Sequence, residues 1–190
     1  MSVLHMHMKI CTMALTRNFP FGVIALLLFL GGSAYAKDGF ESVRCGSDIP
    51  NALLGKRMNN EPVAKIERRH KDLGLTDLGG DEISDRLNLT SWVICGRDYE
   101  LLSDSRAVVV DVLSFPPHSR TSPQFIGVCQ ANGKKLSETV IAVLDNKTAG
   151  ALLPAKAAWK IDEKRARFLS LSPNGLACPR DGISTADGGG

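Results

Sequence analysis

The chain has little excess charge of either sign: 23 Lys and Arg against 20 Asp and Glu give +3 over 190 residues. A balance so close to neutral excludes the basic footprint that nucleic-acid binding needs. No Cys-x-x-Cys and no His-x-x-x-His occurs, so the local pairs from which zinc sites are built are missing. No Gly-x-Ser-x-Gly turn is present to carry an activated serine. Histidine is scarce, and two of the four, His5 and His7, fall in the first twelve residues. No apolar run approaches the ~20 residues that a membrane-spanning helix requires. What remains, 44% hydrophobic and 23% charged, is the composition of an ordinary globular protein.

The longest apolar run, residues 21–30, lies near the N-terminus. Lys9 and Arg17 precede it, no acidic residue comes before Asp38, and Ala34-Tyr35-Ala36 follows it as a small-x-small motif. Basic region, short apolar core and cleavage motif in that order predict a secretory signal over residues 1–36, removed after Ala36. Met13 offers a more compact start for it than Met1. His5, His7 and Cys11 would then be lost with the signal and carry no function. Loss of 36 of the 190 residues leaves 154, with a net charge of +1. The expected location is periplasmic or extracellular, with no membrane span after cleavage.

Four cysteines, Cys45, Cys95, Cys129 and Cys178, survive that cleavage. An even number in an exported chain predicts two disulfides. A staple between the termini, Cys45 with Cys178, is the favoured arrangement and leaves Cys95 to pair with Cys129. The competing arrangement joins Cys45 to Cys95 and Cys129 to Cys178.

Between Asn60 and Gly74 the spacing of Val63, Ile66, His70 and Leu73 places them on one helix face. Asn60 is placed to cap it, Pro62 fits its first turn and Gly74 its end. Residues 74–90, with three glycines and several aspartates, read as a loop. From Ser91 onward β-rich segments follow one another: 92–95, continuing past Gly96 through 99–102, then 107–115, 125–130, 139–144, 157–161 and 167–171. Asn132-Gly133 is a hairpin turn signal, and Asp162 to Arg165 forms a second turn. Three prolines keep residues 116–123 out of any central strand. The predicted architecture is α+β: one or two N-terminal helices packed on a mostly antiparallel, disulfide-stabilised sheet of five or more strands, forming a single domain over 37–180, with a Gly-rich, disordered tail at 181–190.

Chemistry-bearing residues are few. His70 belongs on the helix's apolar face, as a hydrogen-bonded residue at the edge of the core. Asp72, Asp77, Asp81, Glu82 and Asp85 lack the register of a calcium loop. Lys65, Arg68, Arg69, His70 and Lys71 are interrupted by acids, and Glu61 and Glu67 each stand four residues before a lysine, the order of a solvated helix face. Asn88 and Asn146 head glycosylation sequons. His118, Ser119 and Arg120, in the Pro-rich loop, are the candidate binding residues, on an exposed edge whose prolines limit the entropy lost on binding. No motif calls for a metal or cofactor. These features suggest an exported, non-enzymatic binding or envelope-associated protein with a protein partner outside the cytoplasm. The alternative is a small extracytoplasmic hydrolase whose acid and His only the fold brings together. A deep pocket joining His70 or His118 to a carboxylate would favour the hydrolase, and a flat sheet edge with a protruding 116–123 loop would favour binding.

Overall fold

A computed structural model describes residues 39–58 and 61–184. The predicted signal, its cleavage site, Asn60 and most of the Gly-rich tail lie outside the described residues. Two antiparallel sheets dominate, with few helices and two disulfides.

Helix α1 (Ile49–Leu53) is a single turn capped by Asp48, whose side chain accepts from Asn51 N. Helix α2 (Val63–Arg69) runs into a 3-10 turn at Lys71–Leu73 that Gly74 closes at φ 56°, a left-handed value that costs glycine little. Of the four residues read as its apolar face, Ile66, His70 and Leu73 are buried, whereas Val63 is 38% exposed. Glu61 pairs with Lys65 as expected, but Glu67 accepts the backbone N–H of Asp77.

The first sheet is a meander of β1 (Thr76–Ser84), β2 (Leu87–Ile94), β3 (Arg97–Asp104) and β4 (Val109–Ser114), in that order. Two expectations change here. Residues 76–84 are a strand, not a loop: an edge strand exposed along most of its length shows no buried alternation in the sequence. The 92–102 stretch is a hairpin, not a continuous strand. Cys95 and Gly96 both take positive φ and turn the chain so that Ile94 faces Arg97.

The second sheet holds β5 (Gln124–Gly127), β6 (Gln130–Ala131), β7 (Lys134–Lys135), β8 (Val140–Leu144), β9 (Leu152–Asp162), β10 (Arg167–Leu171), β11 (Leu176–Pro179) and β12 (Ile183–Ser184). Its path is β12-β5-β8-β9-β11-β6-β7, with β10 also paired to β9. The Asn132-Gly133 turn forms with both residues at positive φ and with Ala131 opposite Lys134. The expected single sheet is thus two, because the chain leaves the first sheet at the Pro-rich segment and does not return to it.

Three apolar clusters follow from this arrangement. Ile49, Leu53 and Ile66 join Phe40, Trp92, Ile94, Tyr99 and Leu101 in one. Leu87, Leu89 and Leu102 meet Ile141, Val143 and Ile161 in the layer between the sheets. Phe125, Ala142, Leu144, Leu153 and Leu176 form the third, on the far side of the second sheet.

The disulfides join Cys45 to Cys95 and Cys129 to Cys178, not Cys45 to Cys178 and Cys95 to Cys129. Cys95 sits in the β2–β3 turn, at the first sheet's end. Cys129 and Cys178 are both buried in the second sheet's own cluster. Each bridge closes its own half, so no terminus-to-terminus staple forms.

Candidate functional site

Inward-facing residues of the first sheet change chemistry halfway along the strands. On β2 they read Leu87, Leu89, Ser91, Val93, and on β3 Leu102, Glu100, Asp98. The register sets Leu89 beside Leu102 and Ser91 beside Glu100. Beyond that level the space between the sheets opens into a cavity of about 710 Å³. Asp77, Asp81, Asp98, Ser91, His118 and Gln124 supply its polar lining.

Glu100 lies behind that lining, 1% exposed. Ser91 Oγ donates to its Oε2 at 2.6 Å, and Gln124 Nε2, from the opposite sheet, donates to its Oε1. Burial pushes its carboxyl up to about 7; the two hydrogen bonds oppose this, and the charges of Asp98 and Asp81 add to it. At neutral pH Glu100 therefore spends much of its time protonated, whereas an ordinary surface glutamate does not.

The Pro-rich segment contributes His118. Its imidazole is only 5% exposed, packs edge-on against Phe115 at 5.6 Å and brings Nδ1 to 3.2 Å from Asp98 Oδ2. That separation is within ion-pair range, but the pair lacks the angle of a hydrogen bond, so Nδ1 is a buried polar atom without a hydrogen-bond partner. The expectation of an exposed His118 is corrected: Phe115, which directly follows β4, draws the ring inward. The three candidate residues part company. His118 enters the cavity, while Ser119 and Arg120 sit on the surface at a tight turn closed by reciprocal Ser119 and Ser122 backbone bonds. Arg120 there accepts a hydrogen bond on its carbonyl from Asn146 Nδ2.

Asn146 also accepts from Arg180, whose guanidinium bonds the carbonyls of Thr148 and Gly150. Both ends of the Asn146 amide are engaged, so the second sequon has a structural use in holding the loop after β8. His70 lies against Phe40, 5.9 Å between ring centroids, and takes no part in the cavity. Among the described residues no three His, Cys, Asp or Glu side chains converge to hold a metal ion.

Asp98 and Glu100 were the residues that sequence reasoning passed over. Their signal was present: two carboxylates alternate in Asp98-Tyr99-Glu100-Leu101-Leu102, a run otherwise suited to burial. A charge on the inward face of a central strand marks a site or a paired core group.

No family model, curated protein or solved structure matches this chain.

Proposed function

We propose that the protein is an exported binding protein whose cleft between the sheets takes a cationic group, an amine or a guanidinium. One observation carries this reading. Among the described residues, Asp77, Asp81 and Asp98 line the cavity, and no Lys or Arg lines it with them. Clefts lined by charge of one sign concentrate ligands of the other. Ser91, Gln124 and the backbone of Gly79 and Gly80 add polar groups that could orient a bound head. Export is supported by the two disulfides. Among the described residues no helix is long and apolar enough to cross a membrane.

Calorimetric titration with n-butylammonium and butylguanidinium, with butyrate as the control, tests the proposal. The cations should bind saturably and butyrate should not. Replacing Asp81 or Asp98 by Asn should each weaken the cation about tenfold, the usual loss for a hydrogen bond to a charged group. Equal binding of butyrate, or indifference to both substitutions, would sink the reading.

The hydrolase reading gains from the Asp98–His118 pair on the same cavity, the observation named above as favouring it. In that reading a small rotation would complete a hydrogen bond from Nδ1 to Asp98, which would then orient the imidazole and leave Nε2 to take a proton from water. Turnover of fluorogenic amide and ester substrates, abolished by His118→Ala, would support it. Saturable cation binding with no turnover supports binding alone.

A further inference from the structure

Among the described residues, strand β1 is the longest edge left open. The outer side of β4 is covered at its first residue by the chain at 55–57, through Gly55 N to Val109 O, Val109 N to Lys56 O and the Arg57–Val108 bridge. The second sheet's path ends in β12 and β7, each two residues long, and its third edge, β10, runs five residues and donates Phe168 N to Asp111 Oδ2 of β4. Short or covered edges are how proteins avoid unwanted strand pairing. β1 is neither. It runs nine residues, pairs among the described residues with β2 alone, and exposes Thr76 and every residue from Leu78 to Glu82.

Two of its amides are held by carboxylates. Asp77 N donates to Glu67 Oε1 at 3.0 Å, and Gly79 N donates to Asp77 Oδ1 at 2.8 Å. These oxygens occupy the places that carbonyls of an added strand would take. A recess lies on each face of β1. The cavity described above borders Leu89, Ser91 and Val93 of β2. A second recess of about 430 Å³ borders Asn88, Thr90 and Trp92 of β2 and includes Glu82, while Asp77, Gly80, Asp81 and Leu89 border both recesses. Side chains of a strand point to opposite faces in turn. A strand laid along β1 would therefore send alternate side chains into two acid-lined recesses.

We propose that β1 is a docking edge for an extended basic peptide segment, added as a fifth strand of the first sheet, with basic side chains seated beside Asp81 and Asp98 on one face and Glu82 on the other. The proposal rests on the reading of the cleft as a cation site and adds the backbone recognition. A second copy of this chain is a poor occupant, because antiparallel pairing of two β1 strands sets Asp77, Asp81 and Glu82 among their own kind. Strand addition draws affinity from main-chain hydrogen bonds and selectivity from the pockets for alternate side chains.

The test uses a nine-residue capped peptide of three Thr-Lys-Lys repeats, which puts Lys on both faces of an extended strand, titrated into the isotopically labelled protein. Two further versions carry N-methyl groups on the odd or on the even residues. A strand pairs through one of its edges only. One N-methylated version should lose about tenfold or more in affinity, since several hydrogen bonds go at once, while the other keeps the parent affinity. Amide shifts should concentrate in residues 76–84, and a Glu/Thr peptide should not bind. Equal affinity of both N-methylated versions, or equal loss in both, overturns strand addition. So do shifts centred away from β1, or dimerisation of the protein through that edge. If n-butylammonium binds and the Lys/Thr peptide does not, strand addition fails and the cation cleft stands. If neither binds, both fail.

Discussion

The two ends of the layer between the sheets share one strand register and differ in everything else. At one end Leu87, Leu89 and Leu102 meet Ile141, Val143 and Ile161, all nearly or wholly buried. At the other, one step along the same strands, Ser91 and Glu100 meet Gln124, with Asp98 and His118 beside them. Adjacent strands thus change from apolar to polar at the same level, which no isolated strand's pattern reveals. The apolar end holds the sheets together, each buried aliphatic side chain contributing roughly 1.5–3 kcal/mol. The polar end spends part of that stability on a cavity and a buried carboxyl.

The contrast breaks most readily at the apolar end. Leu102→Ala removes a fully buried side chain from the cluster that joins both sheets. It should cost about 2 to 5 kcal/mol in urea unfolding; a loss under about 1 kcal/mol would mean the layer is held elsewhere.

At the polar end the expected effect depends on pH. Glu100 has a folded pKa of about 7 against 4.5 for an unperturbed glutamate. A raised folded value stabilises the native state relative to its deprotonated form below pH 4.5. That advantage fades as pH rises through 7, for a total of roughly 3 kcal/mol. Urea midpoints should therefore fall between pH 4.5 and 8, and Glu100→Gln should flatten that fall and gain stability at pH 8. A variant whose midpoint falls as steeply as the parent's would refute the assignment. The surface carboxyl of Glu138, held down to about 2 chiefly by Lys160, titrates in a separate, more acid window.

The cavity's rim gives a smaller effect. A Cβ at Gly80 would lie 2.4 Å from the carbonyl oxygen of Leu89, a backbone atom that has little room to yield. Gly80→Ala should cost about 1 to 3 kcal/mol and push β1 from β2. Thermal unfolding together with amide exchange on 76–84 checks both.

The smallest effect belongs to the loop that feeds the polar end. Ser119→Ala, at the exposed turn, should stay within about 0.5 kcal/mol. His118→Ala, two rings deep against Phe115, should cost about 1 to 3 kcal/mol. If the two cost the same, His118 is not built into the cavity.

Much of the second sheet was legible because its signals are local. Asn132-Gly133 fixes a turn through backbone conformation, and Asp162 fixes another by accepting from Lys164 N and Arg165 N. The α2 region was legible through Ile66, His70 and Leu73, whose spacing matches their burial. β1 was hidden because an exposed edge strand rich in Gly and Asp resembles a loop until β2 pairs with it. The disulfide pairing was hidden for a related reason: whether Cys95 meets Cys45 or Cys129 depends on whether there is one sheet or two. The site was half legible. His118 stood out as one of few histidines, but its partner Asp98 and the buried Glu100 gained meaning only when β3 became a central strand with its inner face turned to the second sheet.

Because the two bridges lie side by side along the chain, with neither spanning residues 96–128, the backbone can be opened between Arg120 and Thr121 without leaving a covalent tie between the pieces. The N-terminal piece would keep its own closed loop, Asp98, Glu100 and His118; the C-terminal piece would keep its loop and Gln124. Mixed together, they would meet through the layer between the sheets and through the Ser119–Ser122 and Asn146–Arg120 bonds at the cut. Their dissociation constant would then measure chiefly that layer, and the cleft would exist only in the reassembled pair.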